Sequence, residues 1–177
     1  IINKINIEAI RVNKANEIRS INEQLNQLEK IGEIDDYALL YVAESIPSLQ
    51  EGGLPAQINQ IDNKLKSLKN TKKQLEIIGN DPAKVQAYGR GISQLEESDL
   101  PGQLEDIENE INFNRFVYTD EDPSIKLLVE KRKKLIEVYK KQAIAYIEAD
   151  INTLTNSRPK IVESIKQRTK SFLLAQK

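Results

Sequence analysis

Residues 118–157 read YTDEDPSIKLLVEKRKKLIEVYKKQAIAYIEADINTLTNS, and this stretch decides the fold. It opens with a helix-start signal. Asp122 can cap, Pro123 suits the first helical position, and Asp120 and Glu121 favour the positive end of the helix dipole. Ile125, Leu128, Leu135, Tyr139, Tyr146 and Ala149 then fall on one stripe of steps of three and four, which Arg132 and Gln142 share. A second apolar stripe runs beside it through Ile136, Ala143, Ile147, Ile151 and Leu154. Together they make a face wider than a two-stranded seam needs, so the helix is expected to touch more than one partner. At about 1.5 Å per residue, a helix over 122–157 is roughly 50 Å long.

The rest of the chain reads in the same period. A helix is predicted over 2–31, through Ile7, Ile10, Ile18, Ile21, Leu25 and Leu28, ending at Gly32. Residues 35–46 hold a short apolar helix, interrupted by Pro47 and the Gly52–Gly53 pair. The cleanest heptad runs over 54–78, through Ile58, Ile61, Leu65, Leu68, Lys72 and Leu75, with Gly79 and Asn80 ending it. Asp81-Pro82 opens a short helix over 82–88, weakened by Gly89 and Gly91. Ile92–Glu96 is a second short piece. An amphipathic helix over 103–117 uses Leu104, Ile107, Ile111 and Phe116. Arg158-Pro159 is expected to break or kink the long helix, because the residue before proline avoids helical angles. A last helix covers 160–175. No stretch alternates as a strand does. The expected class is all-α: an elongated antiparallel helical bundle of coiled-coil hairpins, in one domain over 1–177.

Composition narrows the chemistry. The 177 residues carry 26 basic and 27 acidic side chains, and that balance gives no general attraction to nucleic acid or to an anionic membrane. There is no His and no Cys, which removes the commonest general base, the usual zinc ligands and thiol chemistry. No catalytic residue, cofactor-binding residue or metal ligand is expected, and the chain reads as a non-enzyme. No apolar run approaches the ~20 residues of a membrane helix. The chain has no Met and begins Ile-Ile-Asn-Lys, so we expect an internal fragment of a larger protein.

Several patterns have a chemical and a plain reading. Lys131-Arg132-Lys133-Lys134 with Lys140-Lys141 suits phosphate contact, but consecutive helix residues point in all directions and Glu130, Glu137 and Glu148 stand nearby. A solvated helix face is the reading adopted. Asp120-Glu121-Asp122 lacks the alternating ligands and mid-loop glycine of a calcium loop, and reads as a helix start. Tyr139 and Tyr146 read as packing residues. Glu105 and Glu108 read as a solvated helical pair. Gly89-Arg90-Gly91 is no phosphate loop.

The ordered run YTDEDPSIK (118–126), EKRKKLIEVYKKQAIAYIEA (130–149) and RPK (158–160) resembles the polysaccharide co-polymerase family, also called chain-length determinant proteins. It looks most like the cyanobacterial branch related to exopolysaccharide exporters and bacterial tyrosine autokinases. The likeness spans Leu100–Leu173, about 40% of the 177 residues. The residues that carry it are Tyr118, Thr119, Asp122, Pro123, Gln142, Ala143, Tyr146, Arg158 and Pro159, in a structural role. The resemblance implies a periplasmic region flanked by membrane helices in an inner-membrane parent. It also implies homo-oligomerisation, polysaccharide polymerase or export proteins as partners, and a role in the length and export of surface polysaccharide. Membrane contact is then expected only through flanking segments, and any kinase domain of the parent lies outside these residues. The alternative is a cytoplasmic coiled-coil scaffold.

Overall fold

The computed structural model describes residues 2–34, 36–51 and 53–175. Among them every regular element is a helix: α1 Ile2–Ile34, α2 Asp36–Glu44, α3 Pro47–Glu51, α4 Leu54–Ile77, α5 Pro82–Gly89, α6 Ser93–Glu96, α7 Leu100–Asn114 and α8 Pro123–Ala175. The chain is all-α. It divides into two units, Ile1–Asp62 with Asn156–Lys177, and Asn63–Thr155.

Several boundaries differ from the sequence expectation, and a short helix, α3, lies where Pro47 is expected to interrupt the chain. Gly32 lies within α1, which continues to Ile34. A glycine ends a helix only where it takes a left-handed angle; otherwise it is tolerated at a cost of about 1 kcal/mol. The α7 helix starts at Leu100, with Pro101 in its first turn, where a missing N–H leaves no bond unmade. The break expected at Arg158-Pro159 is absent, because α8 contains Pro159. A proline in a helix interior costs about 3 kcal/mol. Beyond it the apolar steps resume at Ile161 and Ile165, and burial of that continuing stripe offsets the cost. Gly79, by contrast, does end α4, at a φ of 70° that only glycine adopts freely.

In the first unit, Leu39, Leu40 and Ala43 of α2, Ile46 just before α3 and Leu49 of α3 pack with Ile21, Ile58, Ile165 and Leu173. Only part of the stripe expected on α1 is covered. Ile21 is buried and Leu25 half-buried, but Ile7, Ile10 and Ile18 are exposed; the side chain of Leu28 lies outside the described residues. Arg158 holds Asp62 through two parallel bonds, Nε to Oδ1 at 2.7 Å and Nη2 to Oδ2 at 3.1 Å. This fork geometry is one that lysine does not reproduce.

Thr169 sits one turn from Ile165 and from Leu173, fully buried, and its Oγ1 has no hydrogen-bond partner. An unmatched buried hydroxyl costs about 1–3 kcal/mol. The nearly isosteric Thr169→Val should therefore raise the unfolding free energy by about 1 kcal/mol, read as a higher urea midpoint at unchanged slope. An unchanged or lower midpoint shows that the hydroxyl is bonded in solution.

In the second unit the core comprises Leu75, Val85, Leu95, Leu100, Leu104, Ile136, Tyr139, Ala143 and Ile147. Polar contacts fix the direction of its helices. Lys72 meets Glu148 at 2.9 Å, Lys140 donates to the Gly79 carbonyl at 3.1 Å, and Asn80 donates to Glu137 at 3.3 Å. Numbers rise along α4 as they fall along α8, so the two run antiparallel here. Arg132 on α8 reaches Glu108 on α7. Lys72 occupies a heptad core position, and its hydrogen bond to Glu148, aided by that carboxylate's charge, holds its ammonium above the ordinary lysine range.

Both α8 stripes reach the core, each over part of its length. Ile125, Leu128 and Tyr139 on the first and Ile136, Ala143 and Ile147 on the second are buried, whereas Gln142 and Ala149 on the first are exposed and Tyr146, Ile151 and Leu154 are half-buried.

Candidate functional site

Two features of the second unit stand out. The first is the turn between α7 and α8. Asp122 accepts from the Ser124 amide at 2.9 Å and from its hydroxyl at 2.5 Å, and so caps α8 as the sequence suggests. These two bonds hold its carboxyl below the usual aspartate range, against a small opposing effect of burial. Arg115 pairs with Asp120 at 2.8 Å, and Lys126 with Glu121 at 2.7 Å. Each carboxylate of the acidic run therefore has its own separate partner. Among the described residues no three metal-ligating side chains converge.

The same turn carries large apolar side chains into solvent. Phe113 is 71% exposed, Phe116 88% and Val117 73%. Phe116 was expected on the buried stripe with Leu104 and Ile111. It lies past the end of α7, where the helical period that put it on that stripe no longer applies.

The second feature is an open cleft of about 790 Å³ formed by α5, α6, α7 and α8. Its charged lining includes Arg90, Glu96, Glu105, Glu108 and Arg132. Arg132 Nη1 lies 2.9 Å from both oxygens of Glu108, so this glutamate is not the freely solvated partner of Glu105 that helical spacing suggests. Tyr139 forms part of the wall and is only 2% exposed. Desolvation, then the charge of Glu96, pushes its phenol above the ordinary tyrosine range, with Arg90 acting in the opposite direction. At neutral pH it is a protonated donor, not a base. No serine, threonine or cysteine lines the cleft. What this lining offers is hydrogen bonding and charge pairing.

Gly89 makes room for that tyrosine. It is buried at the end of α5, and a Cβ placed there would meet the Tyr139 hydroxyl and lie 2.5 and 2.6 Å from Cε1 and Cζ of the ring. Sequence reading registered Gly89 only as a weak point in a short helix. Nothing in the local pattern indicates that a ring 50 positions away fills the space.

The family-motif residues are placed as follows within their own units. Tyr118, Thr119, Asp122 and Pro123 share the α7–α8 turn, where the Thr119 carbonyl accepts from the Asp122 amide at 3.0 Å. Ala143 is buried and Tyr146 half-buried in the second unit, and Gln142 is exposed. Arg158 and Pro159 belong to the first unit. The basic run is split around α8: Lys131, Lys133 and Lys134 are exposed, while Arg132 turns inward to Glu108.

No protein-family model, curated protein or solved structure matches this chain. No described helix is long and apolar enough to cross a membrane.

Proposed function

We propose that this chain is the periplasmic helical arm of an inner-membrane polysaccharide co-polymerase. In this reading it acts through contacts with neighbouring subunits or an export partner on the length and release of surface polysaccharide. One observation carries the proposal: three motif segments, 118–126, 130–149 and 158–160, follow one another in the order that family displays. Long amphipathic helices with ion-paired surfaces suit a strut that transmits contact. The chemistry of the parent then lies elsewhere.

The test is made in the parent protein. In-frame removal of the codons for 63–155 should shorten or abolish the long-chain polysaccharide seen on gels, while the parent persists on an immunoblot. An unchanged length distribution at normal parent abundance overturns the proposal. Protease treatment of spheroplasts separates it from the cytoplasmic scaffold reading. A periplasmic arm is cut from outside, whereas a scaffold is protected until the cells are lysed.

A further inference from the structure

We propose that the Phe113–Asp122 turn of one copy, its tip, seats in a groove on the α7–α8 hairpin of a second copy, with lysines on the groove rim meeting carboxylates on the tip. The groove is lined by Ile107 of α7 and by Lys131, Lys134, Leu135 and Val138 of α8, with a volume of about 320 Å³. The groove is shallow and open to solvent, with an apolar floor against which an aromatic ring can lie.

The tip is built to present its rings. The Phe116 amide donates to the Phe113 carbonyl at 3.2 Å, and the amides of Val117 and Tyr118 both donate to Asn114, at 3.0 and 2.8 Å. The Arg115–Asp120 pair braces the far side of the turn. The result is a defined turn with Phe113, Phe116 and Val117 largely exposed. Contiguous exposed apolar groups of this kind mark contact surfaces.

Charge selects the occupant. The tip carries Asp120, Glu121 and Asp122 against Arg115 and Lys126, so it is negative overall. Lys131 and Lys134 on the groove rim are exposed, with no ion pair to any described residue. A tip meeting this groove brings opposite charges together, whereas two tips meeting, or a tip meeting an anionic bilayer, brings like charges together. Tip and groove lie on the same helical hairpin, so two antiparallel copies can make the contact twice, and a one-way arrangement extends as a string. Two aromatic rings bury roughly 150–250 Å² each. That is well short of the ~800 Å² per partner of a stable complex, so the contact is weak and reversible.

The inference concerns only this surface and stands apart from the polysaccharide reading. It is tested by sedimentation velocity over a concentration series reaching about 1 mM, the weak end of specific affinity. The wild-type chain should show a sedimentation coefficient that rises with concentration and falls back with added salt. Phe116→Ser and Val138→Asp, both at exposed positions, should each keep the wild-type helical circular dichroism and stay monomeric. An equimolar mixture of the two should associate again, because one intact tip and one intact groove remain. Lys131→Glu with Lys134→Glu should abolish the rise. The inference fails if the wild type is monomeric throughout, if either single variant associates as the wild type does, or if the mixture stays monomeric. It also fails if the chain remains monomeric but floats with phosphatidylcholine vesicles in a Phe116-dependent way, which would make the tip a bilayer wedge.

Discussion

Ile147→Ala should lower the unfolding free energy by about 2–5 kcal/mol, the range for removing a buried branched side chain and leaving a cavity. Ile147 is 1% exposed and packs in the core of the second unit with Leu75, Val85, Ile136 and Tyr139 among its cluster. The comparison that gives the number meaning is Leu127→Ala on the same helix. Leu127 is 57% exposed, and its truncation should change stability by no more than about 0.5 kcal/mol, as at other open surface positions. Urea titrations of the two variants beside the wild type decide the matter. Equal losses at 147 and 127 would mean that Ile147 does not face the core.

Gly89→Ala is the second large effect, and its sign is the informative part. Alanine is preferred over glycine in a helix by about 1 kcal/mol, so propensity alone predicts stabilisation. Here the added methyl would overlap the buried Tyr139 ring, which must shift to admit it. Overpacking of this kind typically costs about 1–3 kcal/mol, so net destabilisation is expected. Tyr139→Leu removes the overlapping ring edge and hydroxyl while keeping an apolar group. In that background Gly89→Ala should be close to neutral or stabilising. A double-mutant cycle measured by thermal and urea unfolding reports the coupling between the two sites. Additive losses would show that the glycine is required for some reason other than the ring.

These two sites also mark how far a linear reading reaches. The helical period was legible wherever apolar residues recur in steps of three and four, and it located the longer helices but not α3, which lies where Pro47 reads as an interruption. Caps were legible too. Asp122-Pro123 and Asp81-Pro82 start α8 and α5, with Asp81 accepting from the Lys84 amide at 3.0 Å. Local chemistry suffices for a cap, because donor and acceptor are two or three residues apart. The pattern did not show which positions of the two adjacent stripes on α8 are buried. Ile125, Leu128 and Tyr139 of one and Ile136, Ala143 and Ile147 of the other are buried while Gln142 and Ala149 are exposed, and that selection depends on which helices lie against each turn.

Elements of the candidate site were visible only as ambiguous residues. Arg132 read as part of a basic run, and Glu108 as part of a solvated pair; their bond joins positions 24 apart. Phe116 read as core because the period was carried past the point where α7 ends. Pro159 read as a break because its own cost is local, while the burial that offsets it comes from residues elsewhere in the first unit.

The amino-acid sequence by itself determined an all-helical chain, with no histidine or cysteine chemistry, and the starts of its main helices. Those properties follow from composition, period and neighbours within one turn. The tertiary structure alone decided which positions of the two α8 stripes are buried, the void at Gly89 that Tyr139 fills, the Arg132–Glu108 bond, and the exposure of the rings at the α7–α8 turn. Each of these depends on the distance between groups far apart along the chain, and packing sets that distance.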